Sequence, residues 1–404
     1  MMVSLPKDNS SLAPLVPPTP LGTGQDQPRI VIGVTSDQTC LVPRGRLSAL
    51  RQAGFAVTLI SAPGDSLDWI AREEGVTAHP LSMRRGIAPF ADFVAFLAVW
   101  HVLRRLRPTI TDFSTPKAGL LGNVAAWTLQ IPHRVYTLRG LKMEGTTGSK
   151  RALLLMSERI ASWCAHSVLC NSTSLRSMAT SLRIAPREKL HLLGDGSSNG
   201  VDLDRFSPGP SGIRAQLGIP VSDLVLGFVG RLTRDKGIPE LLEAFEMILS
   251  KRPTCRLLLV GWFDQAEDRL SDSWQTYICE HPRIHHTGFV TNPTAYYRAM
   301  DIFILPTHRE GFPNAVLEAS ACGLPVISTE SIGARDAVVP EVTGLQIPPG
   351  IPEAIAEAAL SLLNNPAKRK RMGNAGRNWV RERYSKDRVL ALAVQFYLQL
   401  LQKE

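Results

Sequence analysis

From residue 29 onward the chain alternates short apolar, β-branched runs with longer segments of mixed polarity. RIVIGVT (29–35), FAVTLIS (55–61), TITDF (109–113), RVYTL (134–138) and SVLCN (167–171) are short runs rich in apolar and β-branched residues. That pattern predicts strands of parallel sheets covered on both faces. The intervening segments have helical spacing, as in RGRLSALRQAG (44–54), where Gly54 is the expected stop. Residues 194–212, GDGSSNGVDLDRFSPGPSG, break the alternation and read as a linker. It then restarts with VLGFVG (225–230), RLLLVG (256–261), RIHHTG (283–288), IFILP (302–306) and PVISTE (325–330). The fold class predicted is α/β, with two Rossmann-like, doubly wound domains facing a central cleft. The expected division is a disordered tail over 1–28, a first domain over 29–200 and a second over 201–386. A closing helix over 387–404 is expected to pack back on the first domain.

Composition agrees with two packed domains: 404 residues, 44% of them apolar. The net charge of +9 asks for an anionic partner, whether nucleic acid, a phosphorylated substrate or an anionic membrane. No interleaving of aromatic and basic residues supports nucleic acid. The six cysteines include no CxxC pair, so buried, reduced thiols are expected rather than a zinc site. No secretory signal or run of about 18 apolar residues is seen, so the expected location is cytoplasmic. Residues 84–107, RRGIAPFADFVAFLAVWHVLRRLR, are different. A helix from about Pro89 carries Phe90, Phe93, Phe96, Leu97 and Trp100 between Arg84, Arg85 and Arg104, Arg105, Arg107. Its middle is expected in the core and its flanking arginines against an anionic membrane surface.

Two segments carry candidate chemistry. In EGFPNAVLEASACGLPVIST (310–329) a strand is followed by Glu310, Gly311, Phe312, Pro313 and Asn314, then a helix from about Ala315. Gly311 permits close backbone approach, and a helix start favours a diphosphate. Glu310 and Glu318 could each accept hydroxyls from different parts of one extended ligand. Equally, on spacing alone they could be ordinary acidic residues of a helix. In GFVGRLTRDKGIPELLEAF (227–245) a strand ends at Gly230 and is followed by Arg231 and Lys236, two cations suited to a pyrophosphate.

Together, GRLTRDKGIPELLEAF, REGFPNAVLEASACGLPVIST and IGARDAV resemble the retaining GT-B glycosyltransferases of family 4, as does NGVDLDRF (199–206). TPKAGLLGNVAA (115–126), YTLRGLKMEGTTGSK (136–150) and GDGSSNGVD (194–202) resemble the subgroup that builds capsular polysaccharide, O-antigen or glycan on undecaprenyl diphosphate. The resemblance implies that Glu310 holds donor-sugar hydroxyls, Glu318 the ribose, and Arg231 and Lys236 the leaving diphosphate. Backbone N–H groups of Gly311, Phe312, Pro313's neighbours Asn314 and Ala315, and Val316 would contact sugar and phosphates, with Phe289-Val290 near the base. Arg44, Gly45, Lys117 and Lys142 would lie on the acceptor side. Many relatives carry His where this chain has Arg139. An arginine stays protonated and cannot serve as base, so Arg139 is expected to stabilise charge near the reacting centre. His133, His285 and His286 read as structural residues.

The implied reaction moves a sugar from a nucleoside diphosphate sugar, with UDP the expected nucleotide, to a hydroxyl of a polyprenyl-diphosphate-linked sugar, with retention. No cofactor and no metal are expected. Asp202-Leu203-Asp204 matches a metal-binding DxD pattern but follows no apolar strand. Two alternatives stay open: a nucleotide-sugar 2-epimerase, or a non-catalytic nucleotide-sugar-binding protein.

Overall fold

The computed structural model describes residues 27–83, 86, 88–264 and 268–402. The tail expected over 1–28 lies almost wholly outside the described residues, as do Arg84 and Arg85. Among the described residues there are two compact units: one reaches Asn199 and resumes at Asp387, the other holds Gly200–Lys386.

In the first unit the strands are β1 (Arg29–Gly33), β2 (Ala56–Ser61), β3 (Thr77–Pro80), β4 (Ile110–Ser114), β5 (His133–Leu138), β6 (Ser167–Cys170) and β7 (Leu190–Leu192). They are all parallel, in the order β3-β2-β1-β4-β5-β6-β7. The order reverses between β1 and β4, where Ile30 stands opposite Ile110. Its helices are α1 (Arg46–Gln52), α2 (Asp65–Glu74), α3 (Pro89–Leu106), α4 (Pro116–Thr128), α5 (Gly148–Cys164) and α6 (Thr173–Ser181). Leu47, Leu50 and Leu67 of α1 and α2 cover one face of the sheet, and Val99, Leu103, Ala118 and Ala125 of α3 and α4 the other. A Cβ at Gly122 would lie 2.2 Å from the Phe113 ring, so glycine here lets α4 sit directly on β4.

The second unit holds β8 (Val225–Val229), β9 (Arg256–Val260), β10 (Ile284–His286), β11 (Ile302–Leu305), β12 (Val326–Thr329) and β13 (Gly344–Ile347). They too are parallel, in the order β10-β9-β8-β11-β12-β13, reversing between β8 and β11. Its helices are α7 (Ile213–Gln216), α8 (Ile238–Lys251), α9 (Asp272–Glu280), α10 (Thr294–Tyr297), α11 (Asn314–Ala321), α12 (Pro352–Leu363) and α13 (Pro366–Arg383). The closing helix, α14 (Lys386–Leu401), packs Val394, Phe396, Tyr397 and Leu400 into the first unit's core with Ile30 and Leu47.

Three expectations change. Within the expected linker 194–212 the two units divide after Asn199, and its first part is packed rather than free: Ser197 and Ser198 are buried, and the Ser197 amide donates to the Asn171 carbonyl at 2.7 Å. The middle of α3 is not all core. Ala95, Val99, Val102 and Leu103 are buried, but Phe90 is 83% exposed and Phe93, Val94 and Leu97 also face solvent. A helix lying on a sheet covers only one stripe, whatever the apolarity of the other. Cys279 is exposed, whereas the other five cysteines are buried. No helix among the described residues is long and apolar enough to cross a membrane.

Candidate active site

Each sheet gathers its polar side chains where its strand order reverses. There, neighbouring strands send their connections to opposite faces and leave a crevice at their carboxyl ends.

In the second unit the loops after β8 and β11 meet at that point. Gly237, at φ 72°, ends the first loop and opens α8; a Cβ there would lie 2.0 Å from the Pro306 carbonyl oxygen. That close approach brings Lys236 Nζ into an ion pair with Glu310 Oε1, both side chains largely buried. Arg231 Nη1 donates to Asp264 Oδ2 at 2.7 Å, and Arg309 Nη2 to Asp268 Oδ2 at 2.8 Å. Asp235 stands between the two arginines, with Oδ2 at 3.9 Å from Arg231 and 3.3 Å from Arg309. Burial opposes its charge. The Thr233 hydroxyl at 2.6 Å and the cations Lys236 and Arg231 nevertheless hold its carboxyl below the ordinary range. Arg231 and Lys236 are therefore matched by carboxylates, and the partners Asp235 and Asp264, like the neighbouring Arg309–Asp268 pair, were not anticipated. Their signal was faint, because acidic residues in basic loops look solvated.

Gly230, Gly261 and Gly288 close the ends of β8, β9 and β10. The Gly261 amide donates to the Gly288 carbonyl at 3.0 Å, and Leu232's to Trp262's at 2.9 Å. Trp262 meets the exposed Phe289 ring edge-on at 5.4 Å, beside Val290. Trp262, to which no role is assigned by sequence, thus extends the aromatic surface at the ends of these strands.

The second loop, Glu310–Pro313, is held by the Glu310 amide bonding to Ile332 (3.2 Å) and by the buried Phe312 ring against Tyr384 (5.4 Å). It leads into α11, whose first amides are aimed along the helix axis toward this loop. The Val316 amide already bonds to the Pro313 carbonyl at 3.2 Å, which leaves it poorly placed for a ligand. Gly311 and Ala315 flank the helix start, and Asn314 Oδ1 is buried without a hydrogen-bond partner. Glu318 is not a solvated helical glutamate. It accepts a 2.9 Å hydrogen bond from Tyr297 Oη, and burial pushes its carboxyl up to about 7 against the pull of Tyr297 and Arg205. Asp202, in the DxD pattern, spends Oδ1 on the Arg205 amide at 3.1 Å and so caps a turn.

In the first unit the corresponding crevice lies between the loops after β1 and β4, where Thr35 and Thr115 hydroxyls are 2.6 Å apart. Thr115 adopts φ 74°, a left-handed conformation costly for a β-branched residue. The next loops carry Arg139 after β5 and Ser198 beyond β7. Arg139 Nη1 donates to Ser198 Oγ at 3.0 Å, which also accepts from Asn171 Nδ2 at 3.0 Å. Arg46 Nη2 donates to the Ser198 carbonyl, and both arginines keep a buried Nε without a partner. Burial, then the Arg46 charge, lowers the Arg139 guanidinium to about 10; Asp112 opposes them. Two guanidiniums packed this way form a natural anion site.

The other acceptor-side candidates disperse. Gly45, at φ 82°, donates its amide to Glu74 Oε1 at 2.7 Å, and Arg44 lies over the Trp69 ring at 4.7 Å. Lys117 is held by Asp92 and the Gly86 carbonyl, and Lys142 is exposed beyond β5. Arg46, the residue after the predicted Arg44-Gly45, is the one that reaches Ser198. His133 lies on β5, and the His286 ring packs at a tilt against Phe263, centroids 4.5 Å apart.

Two Rossmann-like domains, each with a charged crevice at its switch point, are the architecture of the GT-B class. A model of group 1 glycosyl transferases matches residues 211–379, and one of a glycosyl transferase 4-like domain matches 44–196. A capsular polysaccharide biosynthesis glycosyltransferase of Staphylococcus aureus, CapM, is 35% identical over 87% of this chain and 92% of its own. The chain therefore belongs to the group 1 glycosyltransferase family. The UDP-Gal:alpha-D-GlcNAc-diphosphoundecaprenol alpha-1,3-galactosyltransferase of Escherichia coli is 26% identical over 65% of this chain and 68% of its own. Among solved structures, Anabaena HepE in complex with UDP-glucose shares the fold, with TM-score 0.76 and 19% identity over 92% of this chain and 99% of that one.

Proposed function

We propose that this enzyme transfers a sugar, with retention and without a metal, from a UDP-sugar to a hydroxyl of a polyprenyl-diphosphate-linked saccharide in cell-surface polysaccharide synthesis. The carrying observation is the Lys236–Glu310 pair at the second unit's switch point. A cation for diphosphate and a carboxylate for sugar hydroxyls stand side by side there. The relatives named for capsule synthesis and for an undecaprenol-linked acceptor support the acceptor class. HepE, solved with UDP-glucose, supports the nucleotide.

Glu310 accepts from the donor sugar's hydroxyls, and Glu318 from the ribose. Lys236 and Arg231 bind the diphosphate and do electrostatically what a divalent ion does elsewhere. The acceptor oxygen attacks the anomeric carbon on the face from which the diphosphate departs. The breaking C–O bond leaves its electron pair on the phosphate oxygen, which takes the acceptor's proton. Arg139 and Arg46 supply positive charge on the acceptor side. The exposed face of α3 and the basic residues Arg104, Arg105 and Arg107 seat the enzyme peripherally on the anionic inner leaflet.

The test is a screen of UDP-sugars with a polyprenyl-diphosphate-linked acceptor, read by mass spectrometry and product anomeric configuration, with and without EDTA. An inverted product, or dependence on a divalent ion, refutes those parts of the reading. Isomerised donor in the absence of acceptor identifies the epimerase instead.

A further inference from the structure

At the amino ends of β6 and β7, the edge of the first sheet opposite Arg139 and Ser198, lies a cleft of about 760 Å³ that the transfer reaction does not use. Ile160, Trp163 and Ile184 form its apolar walls, and Arg159, Arg183, Arg187 and Lys189 its cations. None of these four forms an ion pair with a carboxylate among the described residues. Arg159 donates Nη2 to the Leu182 carbonyl at 2.9 Å, while its Nε is buried with no partner. Lys189 holds the Ala165 carbonyl at 2.8 Å, past the end of α5. Arg183 and Arg187 extend into solvent, with Glu188 beside them.

More positive charge lies behind the cleft. Arg134 Nε donates to the Cys164 carbonyl at 2.7 Å, and its Nη2 is 2.7 Å from His166 Nε2. Burial, Arg134, Lys189 and His133 together hold the His166 imidazole below its usual range. In front of the cleft, Leu153, Met156, Ile160 and Trp163 recur at helical spacing along α5, each between 40 and 64% exposed. Trp127 of α4 extends this stripe, with its ring centroid 5.1 Å from that of Trp163.

We infer that this cleft binds the phosphate headgroup of an anionic membrane lipid, with the α5 stripe and the two tryptophans lying among the acyl chains. The volume suits a headgroup with part of a chain. Tryptophan at the junction of apolar and charged surface is the side chain that favours a membrane interface. A free phosphate would use the cations but leave the stripe uncovered. A second copy of the chain would cover the stripe, but a two-fold contact there would bring Arg183 and Arg187 toward their own counterparts. The inference concerns a surface apart from α3 and does not depend on the transfer reaction.

The test is flotation of the full chain with vesicles of phosphatidylcholine alone or with about one-third phosphatidylglycerol, alongside UDP titration. Wild type should float with the anionic vesicles only. R183Q/R187Q should weaken partitioning about thirty-fold, since each surface cation contributes roughly five-fold, and W163S should also weaken it. UDP binding should stay unchanged in both. The inference is overturned if wild type floats with neither vesicle, or if the cleft variants float as wild type does. Loss of binding in F90S/F93S alone would place the membrane contact on α3 and remove it from the cleft. Inorganic phosphate that blocks flotation at micromolar concentration would make the site one for a free anion. Light scattering that shows a dimer abolished by W163S, with flotation intact, would make the stripe a self-association surface.

Discussion

Tyr397 Oη donates a 2.6 Å hydrogen bond to Asp112 Oδ2, joining the closing helix to the middle of β4. Asp112 Oδ1 accepts from Thr137 at 2.7 Å, and its charge opposes the lowering of the Arg139 guanidinium. Removing the phenol leaves a buried carboxylate short of one donor. Y397F should destabilise the first unit by about 1.5–3 kcal/mol, the range for hydrogen bonds to charged groups. If Asp112 steadies Arg139, acceptor KM should rise while UDP affinity in titration stays at the wild-type value.

Lys236 and Glu310 face one another, so their separate variants should differ in kind. K236A should weaken UDP binding and lower turnover about a hundred-fold or more. E310Q should lower turnover comparably but bind UDP as well as wild type or better, since Lys236 is released to the diphosphate. Near-normal turnover in either purified, folded variant would remove the pair from the mechanism.

The Glu318 carboxyl, raised to about 7, predicts pH-dependent donor binding. Ribose hydroxyls donate to the ionised form, so below about 7 binding must first expel a proton. UDP affinity should rise up to about ten-fold between pH 6 and 8, one pH unit below the raised pKa costing roughly ten-fold. E318Q should give a flat, weaker profile in calorimetric titrations.

Glu158 offers a control away from both crevices. Burial raises it from 4.5 to about 7, although the Tyr136 hydroxyl at 2.5 Å favours its charged form. A folded-state pKa above the unfolded one adds stability that is complete below about 4.5 and is lost as pH rises through about 7. E158Q keeps an acceptor for Tyr136 and has no such loss. Its melting temperature relative to wild type should therefore climb from pH 5 to 8, by an amount worth on the order of 1–3 kcal/mol. A constant difference across that range would contradict the assigned ionisation.

The ten strands read from short apolar and β-branched runs are all present, because a parallel strand covered on both faces is rich in such residues and so is visible in a few consecutive positions. The two loops with Arg231, Lys236, Glu310 and Glu318 were legible for a related reason. Each is a contiguous strand–turn–helix segment whose glycine, cation and carboxylate follow one another in sequence. The short strands β3, β7 and β13, reading TAHP, LHL and GLQI, carry too little pattern to separate from loops.

Which distant groups meet, and which apolar faces stay uncovered, depends on how the elements pack. Tyr397 and Asp112 are 285 positions apart, and Arg46 and Ser198 are 152 apart; no local spacing records either pair. Asp264 and Asp268 met their arginines, and Asp235 met Arg309, only when the loops converged. Likewise, α3 and α5 each carry more apolar surface than one sheet face or one neighbouring helix can bury. Hydrophobic pattern gives a helix its stripe, but the position of its neighbours determines whether water, protein or lipid meets that stripe.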